Sequence, residues 1–581
     1  MKFQKTLLAV LLSTAVSLTF ANTVITNPNP EHAKAHRNDQ TQKAEANNPS
    51  IKPVVVPLAK NNTPNRITST IKGDPATMRA FTWFTSDEFT NPVVKISTSP
   101  SMKNAIIVPA TPIGVTSHYI ERDKKGYFIF KRIDRRTGEA LAYFTDEGKK
   151  APWFPKNEVP DTKNHRPAVD VIKTPETSYK ALAENLTPNT TYYYQVGSSK
   201  GQFSPVGTFK TAGGKTDEFS FIQYTDSQNA YYNEHVNNEA RYAADTLFQA
   251  QKIVPNASFV LHTGDFVEIA EAEDEWVDLM GQSQKSFLKM SLVPVAGNHD
   301  EFTINRNELM LNKFNDHFNV DSVGKVDGGS YYSFTHNNVH FVVLNTNDYK
   351  RDDEKAIGKE QMDWIKADVK KARDNGVDWV ILTYHRPLFS KGYHSLQDVE
   401  VQNVRDEFMK TIEELGVDLA LQGHDHVYSR TKSLGYAPKE QSFVNAKIED
   451  VKYTYNGANI KTFHNPKGTI FMVPNTAGAK AYDAIYNRPL AHIHKVRPKL
   501  EWLTQSQLDH YNSLFEAGFQ PQTTDRFDTS IGNDRDNTIQ NFATYTVNGK
   551  TLTAKVYQVS GNLSKGEPRT VYKVDEFSIQ K

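Results

Sequence analysis

Five short clusters of Asp, Asn and His stand at the ends of apolar runs along this chain. They are Thr225-Asp226-Ser227-Gln228, Thr263-Gly264-Asp265, Gly297-Asn298-His299-Asp300, Tyr384-His385-Arg386 and Gln422-Gly423-His424-Asp425-His426. Carboxylate oxygen, amide oxygen and imidazole nitrogen together suit Zn, Fe or Mn. Two such cations a few ångströms apart suit hydrolysis at phosphorus, because they can generate a nucleophile and hold both ends of the displacement. Any one cluster is a weak signal, since Gly-Asp and Gly-His dipeptides are common. Asp265 alone could cap a helix or a turn. Five clusters in order, each behind an apolar run, are a different matter: acids and imidazoles gathered at converging strand ends would be costly to leave unpaired.

The elements that must position these residues are legible as strands and helices in alternation from Glu218 onward. Phe219 to Tyr224, Ala257 to His262, Leu292 to Ala296, Val339 to Leu344, Trp379 to Thr383 and Val417 to Leu421 are β-prone apolar runs. Asn238 to Ile253, Lys359 to Asn375 and Asp398 to Leu415 have helical spacing. Such alternation predicts a layered α/β domain with its ligands on the loops that follow the strands. Phe542 to Val559 is β again and is expected to join a sheet. Residues 483–540 are polar and aperiodic and receive no assignment.

Ahead of this lies a region of different texture, from Arg66 to Thr211. Arg79 to Phe84 alternates as a half-buried strand does, and Leu186-Thr187-Pro188 turns into the aromatic strand around Tyr192-Tyr193-Tyr194. A buried Trp, a Leu-Thr-Pro corner and Gly/Ser turns fit a β-sandwich. Residues 116–165, rich in Lys, Arg and Asp, read as a long insertion or hairpin with a solvated face. No cluster of ionisable residues stands out there as a site.

The chain has 581 residues, too many for one ordinary core. Its 68 basic residues nearly cancel its 67 acidic ones, so no nucleic-acid partner is implied. Lys2 and Lys5 ahead of the apolar stretch Leu7 to Phe20 predict a signal peptide over 1–21, hence export to the periplasm or outside the cell, with no membrane span in the mature chain. Residues 22–62 are Asn-, Gln-, Lys- and Pro-rich and predict a disordered spacer, in which His32 and His36 are solvated. With no Cys the chain uses no disulfides, a composition that suits a bacterial envelope protein.

The order of these motifs resembles the calcineurin-like metallophosphoesterases. The preceding sandwich, Tyr331 to Phe334 before Asn338 to Phe341, and Tyr428 with Arg430 after the last motif resemble the purple acid phosphatase branch. The resemblance implies a fibronectin III-like first domain over 63–213 and a metallophosphoesterase α/β-β/α sandwich over 214–581, with a polar insertion near 483–540 and C-terminal strands. It implies two metal ions (Fe, Mn or Zn), bridged by Asp265. Asp226 and His426 then bind the first, and Asn298, His385 and His424 the second. A hydroxide held between the metals attacks a small phosphorylated substrate, most simply a phosphate monoester. His299 contacts phosphate or protonates the leaving group, and His394 stands near the substrate. Asp300 fixes a turn or orients a histidine, and Arg386 and Tyr428 support or pack.

Two positions depart from the family. Gln228 stands where relatives with an Asp-x-His motif use His, and Glu268 stands where purple members use a metal-binding Tyr. Gln228 can still coordinate through its amide oxygen, and Glu268 can coordinate or lie beside His299. The same core serves phosphodiesterases and nucleotidases. A degenerate binding or adhesion protein would also fit the sandwich and the spacer, but it predicts loss of second-metal ligands or His299, and none is lost. His262, His336, His340 and His492 read as structural, and Trp83 and Trp364 as core.

Overall fold

A computed structural model describes residues 42–44 and 62–581, apart from 123–127, 135, 146–164, 231–238, 305–308, 311, 324–330, 349–353, 457–459 and 531. The predicted signal segment lies outside the described residues, and so does nearly all of the predicted spacer. Gln42–Ala44, inside that spacer, is a short strand antiparallel to Arg569–Val571, so the disorder expected of 22–62 does not extend to it. Among the described residues no helix is long and apolar enough to cross a membrane.

Two sheets meet face to face at the centre. In one, Phe219–Tyr224, Phe259–His262 and Ser291–Pro294 run parallel, and Phe219–Tyr224 also pairs antiparallel with Ile539–Asn548. In the other, Val339–Val343, Trp379–Thr383, Leu419–Leu421 and Ile470–Pro474 run parallel. These strands are apolar on both faces because both faces are covered. The shared interior is aromatic: Phe341 stands edge-on to Phe221 at 5.2 Å and to Phe259 at 5.3 Å. Helices cover the outer faces. Lys359–Asp374 places Met362, Ile365 and Val369 on one side, and Val399–Glu414 places Val401, Val404, Phe408 and Ile412, all buried in one cluster. Helix 3.6-residue spacing dictates those stripes.

The β-region ahead of this is also a pair of sheets. Phe81, Trp83 and Tyr179 on one face Val94, Ile96 and Tyr194 on the other, and Trp83 stacks on Tyr179 at 4.9 Å. It is not a separate bead. Thr70 of Asn65–Thr70 bridges in parallel to Leu292 of Ser291–Pro294, so the first region's sheet continues that of the α/β region as a single 13-stranded sheet. Strand-sequence patterns carry no signal for such an edge-to-edge join. The segment 116–165 contributes the strands Ile129–Asp134 and Ala140–Thr145, an antiparallel hairpin.

Residues 483–540, unassigned from periodicity, hold the helices Leu490–Val496 and Gln505–Ser513, and Phe515–Phe519 adds a strand to the seven-stranded sheet. These helices are short and bury few residues each, Leu508 and Tyr511 in the second, too few to set a detectable period. Trp83 is buried as expected, whereas Trp364 is only partly covered, against Tyr331 at 4.9 Å.

Candidate metal centre

All five clusters fall on loops at the C-terminal ends of the parallel strands, and the two sheets bring them together. The backbone there is forced. Asp226, Gln228, Asp265 and His424 all have positive φ, at 53°, 40°, 57° and 69°. Non-glycine residues in that region cost on the order of 1–3 kcal/mol each. The neighbours allow the crowding: a Cβ on Gly264 (φ 97°) would collide with His385 Nδ1, and one on Gly297 with the Asp265 backbone and carboxylate. Asp300 holds the Asp265 turn by accepting the N–H groups of Asp265 (3.0 Å), Phe266 (2.9 Å) and Gly297 (2.8 Å).

The hydrogen bonds around the imidazoles decide which nitrogens face one another. His385 Nδ1 donates to Thr263 O at 2.8 Å, which turns Nε2 toward Asp265 Oδ2 at 3.1 Å and His424 Nδ1 at 3.1 Å. His426 Nδ1 donates to Lys480 O at 2.6 Å, which turns Nε2 toward Asp226 Oδ1 at 3.3 Å. Asp226 also accepts the His424 N–H at 3.0 Å, tying the first and last clusters. Burial, then His394 and Arg386, keep His424 well below the usual imidazole range, so it is neutral and has a lone pair to give. Burial opposes charge on His385 as well, but the Asp265 carboxylate overrides it and raises that imidazole to about 9. Lone pairs and carboxylate oxygens thus converge at hydrogen-bond distance, and only a proton or a cation between them makes the contacts favourable. Three further groups fit a cation: Gln228 Oε1, Asn298 Oδ1 and His426 Nε2 are buried without a hydrogen-bond partner among the described residues. Asp265, His385 and His424 each offer a ligand atom within 4.8 Å of the others.

His299 sits at the edge of this group. Its N–H donates to Asp265 Oδ1 at 3.0 Å, and its Nδ1 donates to Glu268 O at 2.8 Å. His394 donates from Nδ1 to Asp425 Oδ1 at 2.6 Å, and its ring lies 4.0 Å from that of His424. The ligands expected from the sequence and His299 lie on the loops gathered here, and His394 opens the short helix His394–Gln397 beside them; Gln228 touches Asp265 through its backbone N–H at 2.9 Å rather than its side chain. Glu268 lies beside His299, Oε2 to Nδ1 at 3.6 Å, and its carboxylate is engaged by Arg535 and, at 3.7 Å, by Lys480.

Sequence reasoning missed the supports. Asp398 meets His424 Nε2 at 3.3 Å and Arg386 at 2.8 Å, and Asp425, inside the last motif, anchors His394. Asp398 is 26 residues from His424, so no spacing rule finds it. Of the histidines read as structural, His262 is buried with Nε2 at 2.9 Å from Ser227 Oγ, His340 meets Asp368 at 2.8 Å, His336 packs on Phe219 at 4.3 Å, and His492 lies 3.9 Å from Asp483.

Comparison with known proteins agrees with this architecture. Residues 64–211 match the purple acid phosphatase N-terminal domain, and residues 219–428 match the calcineurin-like phosphoesterase family. An uncharacterized protein of Mycobacterium tuberculosis is 26% identical over 271 residues, 43% of this chain and 50% of that one. An acid phosphatase of Aspergillus ficuum is 32% identical over 119 residues (20% of this chain, 17% of that one), and purple acid phosphatase 18 of Arabidopsis thaliana is 35% identical over 108 residues (18% and 22%). The matched region thus spans half the length of the Mycobacterium protein and less of the other two. The purple acid phosphatase PPD1 from yellow lupin (Lupinus luteus) seeds shares the fold, with a TM-score of 0.54 at 17% identity, over 89% of this chain and 74% of that one. The chain thus joins a purple acid phosphatase N-terminal domain to a calcineurin-like metallophosphoesterase domain.

Proposed function

We propose that this protein is an exported, metal-dependent hydrolase of small phosphate monoesters. The observation that carries the reading is the convergence of His385 Nε2, His424 Nδ1 and Asp265 Oδ2, each within 3.1 Å of its neighbour, beside Gln228 Oε1 and Asn298 Oδ1, which have no hydrogen-bond partner among the described residues. On this reading Asp226, Gln228, Asp265 and His426 hold a first metal, and Asp265, Asn298, His385 and His424 a second, drawn from Fe, Mn or Zn. When bound, the two ions supply an activated water and neutralise charge on the phosphoryl oxygens. The family fold implies such a dinuclear centre.

The chain's own side chains do the rest. His299, with Nδ1 spent on Glu268 O, presents Nε2 as the proton donor to the leaving oxygen or as a contact to phosphate. His394, fixed through Nδ1 by Asp425, presents its other nitrogen beside His424, where it can hold a second phosphoryl oxygen. We place the domain junction near 213–214 and read the first domain's two packed sheets as fibronectin III-like. Export rests on the N-terminal sequence alone.

The test is the metal content of the purified protein together with its hydrolysis of an aryl phosphate before and after strong chelation. Loss of turnover on chelation and its return with a divalent metal are expected. Metal-independent turnover, or a protein that binds no metal in any state, would sink the reading. A parallel series of diesters and nucleotides separates the monoesterase from a phosphodiesterase or nucleotidase.

A further inference from the structure

The run Glu271-Ala272-Glu273-Asp274-Glu275, just beyond the Asp265 turn, carries four carboxylates, and each has its own partners. Glu271 takes His118 Nδ1 at 2.9 Å on one oxygen and the Ile304 N–H at 2.8 Å on the other. Glu273 takes Arg66, Lys313 and His317. Asp274 takes the Ile120 N–H at 2.6 Å and Arg122 at 3.1 Å. Glu275 takes the N–H groups of Glu268 and Ile269 at 2.9 and 2.7 Å. Three of the four reach back to the first domain, and the fourth fixes the residue whose carbonyl orients His299.

The contacts continue into the other loop that holds His299. Ile120 and Phe128 of the first domain form a small apolar cluster with Ile269 and Ala272, and Phe302 and Ile304 pack against it. The Glu271 N–H donates to Phe302 O at 3.1 Å, and the Phe302 ring stands edge-on to His299 at 5.0 Å. His118 and Ala272 form a parallel bridge. Glu271 is thus the point where one donor from the first domain and one from the His299 loop meet on a single carboxylate.

We propose that the first domain positions His299 for catalysis, with His118 and Glu271 as the positioning pair. The inference rests on the phosphoesterase reading above. Neither residue touches the candidate metal ligands; both act through the 299–304 loop. A group that must meet a leaving oxygen is sensitive to placement, a shift of about 1 Å costing up to about 100-fold.

The test uses the full chain loaded with metal and an aryl phosphate as substrate. In His118→Ala and in Glu271→Gln we expect kcat to fall about tenfold with KM within about twofold and metal content unchanged. His118→Gln, which keeps an N–H donor for Glu271, restores most of the rate. In a His299→Ala background His118→Ala costs nothing further, because both act through one imidazole. The 15N resonances of the His299 ring, assigned by their loss in His299→Ala, shift in His118→Ala. Unchanged kcat in both single variants, a full additional loss on top of His299→Ala, loss of metal, or an unmoved His299 resonance each overturns the proposal. Should His118→Ala fail to fold, Glu271→Gln, which keeps an acceptor for Ile304, reads the same contact. A metal-replete wild-type protein without hydrolysis sinks the phosphoesterase reading instead, and the resonance measurement still decides the positioning.

Discussion

Replacing Asp300 with Ala removes the group that holds the Asp265 turn. Asp300 is fully buried and accepts three short N–H bonds, from Asp265, Phe266 and Gly297 at 2.8–3.0 Å, with a longer fourth from Val267 at 3.4 Å. Ala supplies no acceptor, and each buried N–H left unsatisfied costs about 1–3 kcal/mol. Partial relaxation of the loop offsets some of this, so a loss of about 3–6 kcal/mol is expected, a large share of the roughly 5–15 kcal/mol available to a folded domain. The Asp265 backbone, at φ 57°, is then free to leave its strained well, and its carboxylate leaves the group formed with His385. Asp300→Asn keeps one carbonyl acceptor and should cost about half as much. The assay is urea unfolding of metal-free protein, which removes stabilisation by bound ligand from the comparison, paired with metal content of the reloaded variant. An Asp300→Ala protein within about 1 kcal/mol of wild type, or one that reloads fully with metal, would refute the account of how this turn is held.

His424→Ala should lose metal and activity together, whereas His299→Ala should keep metal and lose rate by about 10²–10⁴-fold; equal metal loss in both would make His299 a ligand. Gln228→His should bind the first metal more tightly, read by chelator competition, and weaker binding would remove residue 228 from the site. The iron-loaded protein should lack an intense visible tyrosinate band, because Glu268 occupies the position three residues after Asp265. His336 is buried without a carboxylate partner, and burial lowers its pKa from 6.5 to about 3. The unfolded chain therefore binds a proton that the folded one refuses: stability is full above pH 6.5 and falls as pH drops toward 3. His336→Phe should remove a penalty of about 2 kcal/mol at pH 5 and change little at pH 8; an unchanged acid transition would refute it.

The sequence displayed the site more fully than the fold. Strand ends are readable because an apolar run stops abruptly at Asp, Asn or His, and the side chains that need one another recur in a fixed order. What holds them was not readable, because Asp398, Lys480 and Arg535 reach the site from distant segments with no local pattern. The same reason explains the unassigned stretch 483–540. Its α-helices have only 7 and 9 residues, and Thr504 with Gln507 closes a capping box that fixes the second by local hydrogen bonds rather than by an apolar stripe. The join of the two domains through Thr70 and Leu292 rests on a single bridged pair, which leaves no trace in alternation or spacing.

Two departures from the family pattern, Gln228 and Glu268, make one sense when their surroundings are compared. A buried acid next to a metal centre is an obvious ligand, yet the Glu268 carboxylate is engaged by Arg535 and Lys480. Arg535 also meets Glu239 at 2.8 Å, so both acids and both bases are drawn into one buried group. Breaking one such pair strands the other charge, which is why the group holds together and why it fastens the 483–540 segment to the site. Gln228, by contrast, has no hydrogen-bond partner for either amide atom. On the proposed assignment the first metal therefore meets two carboxylates, one amide oxygen and one imidazole, a harder set than the imidazole-rich second site. Oxygen-rich sets of this kind favour Mn, Fe or Mg over tight Zn and release metal more readily. On that assignment, with Glu268 held by Arg535 and Lys480, the first ion is expected to be lost before the second.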